Sequence, residues 1–166
     1  MIYLMDVNVL LAMRYSKHVH HKRTMRWLND RASEVRLACL ATCSITELGF
    51  VRIAGNKDID LAENVSAARL DLKRLKMDWR FEFLVDPLGA AYLPSWVERP
   101  AHVTDGHLLA LATARGGRLV THDSGIPGAI LIPDLSEGPP KVTEPTTVGE
   151  PTTRYRVQTR YPSRLN

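Results

Sequence analysis

Four carboxylates stand where short apolar runs end or helical patterns begin. Asp6 follows IYLM (2–5), Glu47 lies in the first turn of SITELGFVRIA (44–54), Asp105 opens DGHLLALATAR (105–115) and Asp123 follows RLVT (118–121). Brought to one place, four acids repel one another unless a cation neutralises them. An oxygen-only donor set, with no histidine or cysteine pair at ligand spacing beside it, suits a hard divalent ion such as Mg²⁺ or Mn²⁺, which keeps waters and takes phosphate oxygens readily. Asn8, Ser44 and Thr121 are placed to hold carboxylates or bound water around such an ion.

Each acid also has a purely structural reading. Asp6 suits the cap of a short helix over 7–12, and Ser44-Ile-Thr-Glu47 matches the S-x-x-E capping box. Thr104 or Asp105 suits a helix cap, and Asp123 in His122-Asp-Ser-Gly125 suits a turn with glycine last. Convergence is what the structural readings do not require and the metal reading does.

The elements that must position these acids alternate along the chain. IYLM (2–5), VRLACLA (35–41), FEFLV (81–85), RLVT (118–121) and AILI (129–132) read as short buried strands. Helical periodicity marks 20–31, 44–54, 60–76 and 105–115, the last closed by Gly116-Gly117. Continuous apolar strands between helices predict an α/β sandwich with a mostly parallel sheet covered on both faces. Ligands of such sheets bind beyond the carboxyl ends of the strands, and all four acids map to that edge. Asp86 in FLVDPLG also follows a strand, but Pro87 beside it favours a turn. The histidines of HVHH (18–21) are expected at a surface or helix start, His107 is expected to be packed or half-exposed, and His122 beside Asp123 stays open.

Composition sets the remaining bounds. The chain has 166 residues, 45% hydrophobic and 24% charged, enough for one domain with a real core. The net charge of +4 points weakly to an anionic partner. No apolar run reaches the roughly 20 residues that span a bilayer, and no signal-like segment opens the chain, so the expected setting is cytoplasmic, with no membrane partner. Cys39 and Cys43, in LACLATC, form neither a disulfide framework nor a zinc site and read as buried apolar groups. A domain over 1–135 is expected to give way to a Pro/Thr/Arg-rich, flexible tail over 136–166. The tail repeats EPTT and ends in RYRVQTRYPSR, whose arginines and tyrosines suit single-stranded nucleic acid or a plain solvated extension.

The ordered set DVNVLLA, SITELGFVR, TDGHLLALA and LVTHDSG resembles the PIN domain, and most of all the VapC toxins of bacterial toxin–antitoxin systems. The segment HVHHKRTMRWL (18–28) is similar to the first long helix of many of these toxins. The resemblance runs from residue 1 to about 133. It implies a three-layer α/β/α domain, a homodimer, a cognate antitoxin partner and a ribonuclease activity dependent on Mg²⁺ or Mn²⁺. Asp6, Glu47, Asp105 and Asp123 fall on the family's acidic positions, and Asn8, Ser44 and Thr121 on its polar ones. The chemistry expected is in-line attack of an activated water on an RNA phosphodiester, with Arg14 and Arg52 near the same edge holding the backbone. Two other readings compete: a degenerate domain of this kind that only binds RNA or a partner, and a phosphatase of D-x-D type, which Asn8 at the second position disfavours. The proline-rich tail departs from the family's compact pattern.

Overall fold

The computed structural model describes residues 1–134, so the tail expected from residue 136 lies outside the described residues. The chain runs β1 (Ile2–Met5), α1 (Val7–Arg14), α2 (His21–Asp30), α3 (Ala32–Leu37), β2 (Cys39–Cys43), α4 (Ser44–Ala54), α5 (Val65–Trp79), β3 (Glu82–Leu84), α6 (Val103–Ala114), β4 (Arg118–Thr121) and β5 (Ile130–Leu131). Two single 3₁₀ turns, Ala90–Tyr92 and Pro100–His102, lie between β3 and α6.

Among the described residues the sheet has the order β3-β2-β1-β4-β5 with every pairing parallel. The chain builds outward from β1 through β2 to β3, then crosses back to lay β4 on the other side of β1. The connections therefore diverge at the carboxyl ends of β1 and β4, the crevice where open parallel sheets take ligands.

Burial alternates with the strand period, which is how both faces come to be covered. On one face Tyr3, Met5, Leu40 and Val120 pack with Leu10 of α1, Trp27 of α2, Phe50 of α4 and Leu72 of α5. On the other, Leu4, Ala41, Cys43 and Leu119 pack with Leu108, Leu111 and Ala112 of α6. This is the expected three-layer α/β/α sandwich. Cys39 and Cys43 are free, Cys43 fully buried and Cys39 partly so. Among the described residues no helix is long and apolar enough to cross a membrane.

Two stretches differ most from the sequence reading. The stretch expected as a strand over 35–41 is split: Ala32–Leu37 is helical, and β2 begins at Cys39, paired with Ile2. ASEVRL consists mostly of competent helix formers, while the β-branched Thr42 belongs to the part that pairs. The helix expected over 60–76 runs instead over Val65–Trp79, because Asn64 caps it by accepting from the Ala67 amide at 3.0 Å.

The stop after α6 is made as the glycine pair predicts. Gly116 takes φ +66°, and the Gly117 amide returns to the Ala112 carbonyl at 2.8 Å. Gly117 is also required for space, since a Cβ there would lie 2.7 Å from the Ile2 carbonyl oxygen and 2.8 Å from Ile2 Cβ. The Gly117→Ala variant is expected to lose about 1–3 kcal/mol through displacement of β1 against β4. A two-state urea titration measures this; an unchanged midpoint would mean the turn yields freely.

Candidate active site

Asp6 is carried to the sheet edge by β1, whose last three residues are buried, and its own amide extends the ladder to the Val120 carbonyl at 3.0 Å. Its carbonyl accepts from the Val9 and Leu10 amides, both at 3.0 Å, so it is the N-cap of α1. Asp6 is 8% exposed, and its carboxylate is divided between two tasks. Oδ1 accepts from the Val7 amide at 2.6 Å, and Oδ2 accepts from Thr121 Oγ1 at 2.8 Å. Thr121 is itself fully buried and accepts from the Asp123 amide at 3.0 Å. One hydroxyl thus ties the end of β1 to the end of β4.

The charges of this edge are coupled. Burial, opposed by the hydrogen bonds from Thr121 and Val7 and reinforced by the negative charges of Asp105 and Asp123, holds the Asp6 carboxyl above its ordinary pKa. Burial and then the Asp123 charge raise that of Asp105, while His102 nearby works in the opposite direction. Asp123 is exposed and accepts from the Gly125 amide at 2.7 Å, the turn expected of it. The structure therefore brings Asp6, Asp105 and Asp123 within electrostatic reach of one another.

Glu47 is held differently. Its Oε1 accepts from Thr42 Oγ1 at 2.6 Å and pairs with the Lys76 ammonium of α5. The capping box expected of Ser44 and Glu47 is displaced by one residue. β2 runs directly into α4, so Cys43 becomes the N-cap, with its amide donating to Thr46 Oγ1 at 2.9 Å. That displacement releases Glu47 from backbone duty. Likewise α6 begins at Val103 after His102, which leaves Asp105 inside the first turn rather than at the cap.

Ser44 and Asn8 are exposed in the first turns of α4 and α1; of the three supporting polar residues, Thr121 makes the direct carboxylate bond. Arg14 and Arg52 are not at the acid edge. Arg14 ends α1, about 12 Å of helix rise beyond Asp6, and pairs with Asp71 of α5 beside Tyr15. Arg52 lies in the last turn of α4, while Glu47 lies in the first.

Asp86 turns its chain by accepting from the Leu88 amide at 3.0 Å and meets His107 Nε2 at 2.5 Å. Burial opposes ionisation there, yet the hydrogen bonds from His107 and Leu88 hold its carboxyl below the ordinary range. The residues that sequence reasoning missed are Thr42, Lys76 and Thr24. Only Thr24 carried a signal, as a polar residue on the apolar stripe of α2 next to Trp27 and Leu28.

The donor chemistry fits a hard cation of limited appetite for protein ligands. Among the described residues no three His, Cys, Asp or Glu side chains form a group that could hold an ion, so the four-carboxylate cage expected from sequence is not preformed. Asp6, Asp105 and Asp123 interact through their charges, and Glu47 is paired with Lys76. Mg²⁺ is commonly bound by one or two carboxylates, with water and phosphate completing the shell, and this edge supplies that much.

A parallel sheet with acids at its switch point, one of them a buried helix cap, defines a class. The family model of the PIN domain matches residues 3–129. Ribonuclease VapC38 of Mycobacterium tuberculosis is 38% identical over 133 residues, covering 74% of this chain and 86% of that one. Ribonuclease VapC29 of the same organism is 34% identical over 139 residues, with 80% and 98% covered. The chain belongs to the PIN-domain family and, within it, to the VapC proteins. A crystal structure of VapBC2 from Rickettsia felis, bound to a DNA fragment from their promoter, shares the fold. Its TM-score is 0.54 at 18% identity, over 79% of this chain and 97% of that one.

Proposed function

We propose that the protein is an endoribonuclease dependent on Mg²⁺ or Mn²⁺, the toxin of a toxin–antitoxin pair. The observation that supports this most is the coupling of Asp6, Asp105 and Asp123 at the β1/β4 switch point, on a chain whose curated relatives carry the name ribonuclease VapC. One or two of Asp6, Asp105 and Asp123 would hold the ion directly, with water completing its shell. When bound, a divalent ion activates water at neutral pH and stabilises the leaving oxygen.

The remaining work falls to the chain. Asp6, fixed by the Val7 amide and Thr121, keeps its carboxylate in one orientation. Glu47, with Oε1 taken by Thr42 and Lys76, offers Oε2 as an acceptor for a water proton. The negative charges of Asp105 and Asp123, which act on each other, disfavour an approaching phosphate until a cation is present, which makes cleavage conditional on metal.

A cognate antitoxin is the proposed protein partner, in keeping with the VapBC assembly of the structural neighbour. An open groove beside Glu47, lined by Leu48, Val51, Leu72 and Met77, offers it apolar surface; Leu48 and Met77 are among the exposed hydrophobic residues. A homodimer in the cytoplasm completes the reading. A non-catalytic binding module is the weaker alternative, because all four acids are present; Asn8 disfavours a phosphatase.

The test is incubation of the purified chain with total cellular RNA. Cleavage is expected with Mg²⁺ or Mn²⁺ and is expected to stop on chelation. RNA left intact at every divalent-ion concentration would overturn the enzymatic reading and favour the binding module.

A further inference from the structure

Residues 17–26, KHVHHKRTMR, hold four cations and three histidines and no carboxylate. Neither the acid site nor the core accounts for that concentration of positive charge. Its placement does. His122, between Thr121 and Asp123, meets Thr24 Oγ1 at 2.9 Å, and its ring centroid lies 4.6 Å from that of His20, with His18 a further 5.5 Å along. Thr24 is fully buried and donates to the His20 carbonyl at 2.9 Å. The first turn of α2 is thereby fastened to the strand end that presents Asp123.

The positive groups crowd one another there. Burial and then the Arg23 charge lower the pKa of His20. Burial, then Arg23, His20 and His18, push that of His122 down to about 3. The Arg23 side chain is 10% exposed and pairs with Asp134, yet its Nε is buried with no partner. Lys22 and Arg26 are exposed. At spacings of three and four residues, Arg26 lies beside both Arg23 and Lys22 on one flank of the helix.

An anionic catalytic edge cannot draw a polyanion by itself, so a chain that cleaves RNA needs a cationic rail next to its acids. Arg14 and Arg52 are too far along their helices to provide it. We propose that the N-terminal half of α2 binds the RNA backbone on the Asp123 side of the site, with the exposed Lys22 and Arg26 neutralising phosphates and the His18 and His20 rings stacking against an unpaired base. This rests on the ribonuclease reading and adds to it where the substrate lies.

The test uses the full chain carrying Asp105→Asn, which prevents turnover, and a short fluorescently labelled single-stranded RNA titrated by anisotropy at several salt concentrations. Adding Lys22→Gln with Arg26→Gln, both at exposed positions, is expected to weaken binding about twentyfold near 0.1 M salt. It is also expected to flatten the slope of log K against log salt by about 1.4, at 0.7 for each phosphate contact on a single strand. The charge-preserving pair Lys22→Arg with Arg26→Lys is expected to retain the slope, and Arg52→Gln to leave it unchanged. An unchanged slope in the double glutamine variant, or an equal loss in Arg52→Gln, overturns the proposal. So does loss of binding to a polyglutamate peptide with RNA affinity intact, which would assign the surface to an acidic protein. Failure of the ribonuclease reading looks different: the unmutated chain leaves RNA uncut with metal present, whatever the slope.

Discussion

Asp6→Asn is expected to remove at least about two orders of magnitude of RNA cleavage while making the metal-free protein harder to unfold. The activity loss should exceed the 10–100-fold typical of losing a group that merely supports a metal ligand. The stability gain follows from the same carboxylate. Burial and its acidic neighbours raise the Asp6 pKa in the folded chain. Such a group contributes stability fully below its unfolded pKa, and that contribution is lost as pH rises through the folded value. At neutral pH the ionised group therefore costs the fold something that an amide does not. Thermal denaturation in chelator checks this: the variant's Tm should exceed that of the unmutated chain, with a gap wider at about pH 7.5 than at about pH 4.5. Each kcal/mol relieved corresponds to about 2–4 °C at this chain length. A lower Tm at neutral pH would mean that the cap made by Oδ1 outweighs the buried charge.

Thr121→Val tests the bond between strand ends. The replacement keeps the shape and removes the hydroxyl that serves both Asp6 Oδ2 and the Asp123 amide. Cleavage is expected to fall about 10–100-fold, with a stability loss of about 1–3 kcal/mol from buried groups left unpaired. The pH profile separates positioning from simple loosening. The Thr121 hydrogen bond favours the ionised form of Asp6, so losing it raises that pKa further and shifts the acid limb of activity to higher pH. Thr121→Ser should recover most of the rate and return the limb. An unshifted limb in Thr121→Val would mean that the hydroxyl does not govern Asp6.

What the sequence disclosed and what it withheld divide along physical lines. The acids were legible because each sits at a change of period, where an apolar strand ends or a helix starts. The double role of Asp6 was foreseeable too, since a carboxylate has two oxygens and a helix cap needs one. The error at 35–41 came from a short, mostly apolar run in which helix and strand are indistinguishable by periodicity, with pairing to Ile2 deciding the issue. The capping box failed because Ser44 was assumed to precede its helix, whereas β2 leaves no loop and makes Cys43 the cap. Arg14 and Arg52 were misplaced by neighbourhood in sequence, because each lies near the far end of the helix that starts at the acid edge. The Lys76 pairing with Glu47 and the His20–His122 contact join residues 29 and 102 positions apart, and no local pattern foretells them.

The sheet order has a consequence for how the chain is made. Asp6 and Thr121 meet across 115 residues. At the usual pace of about 5–20 residues per second, a ribosome needs about 6–23 s after synthesising the first to supply the second. Until then β1 has only β2 to pair with, and Asp6 stands without the neighbour that orients it. The strand that opens the chain waits for nearly the whole domain before its carboxylate is in working order.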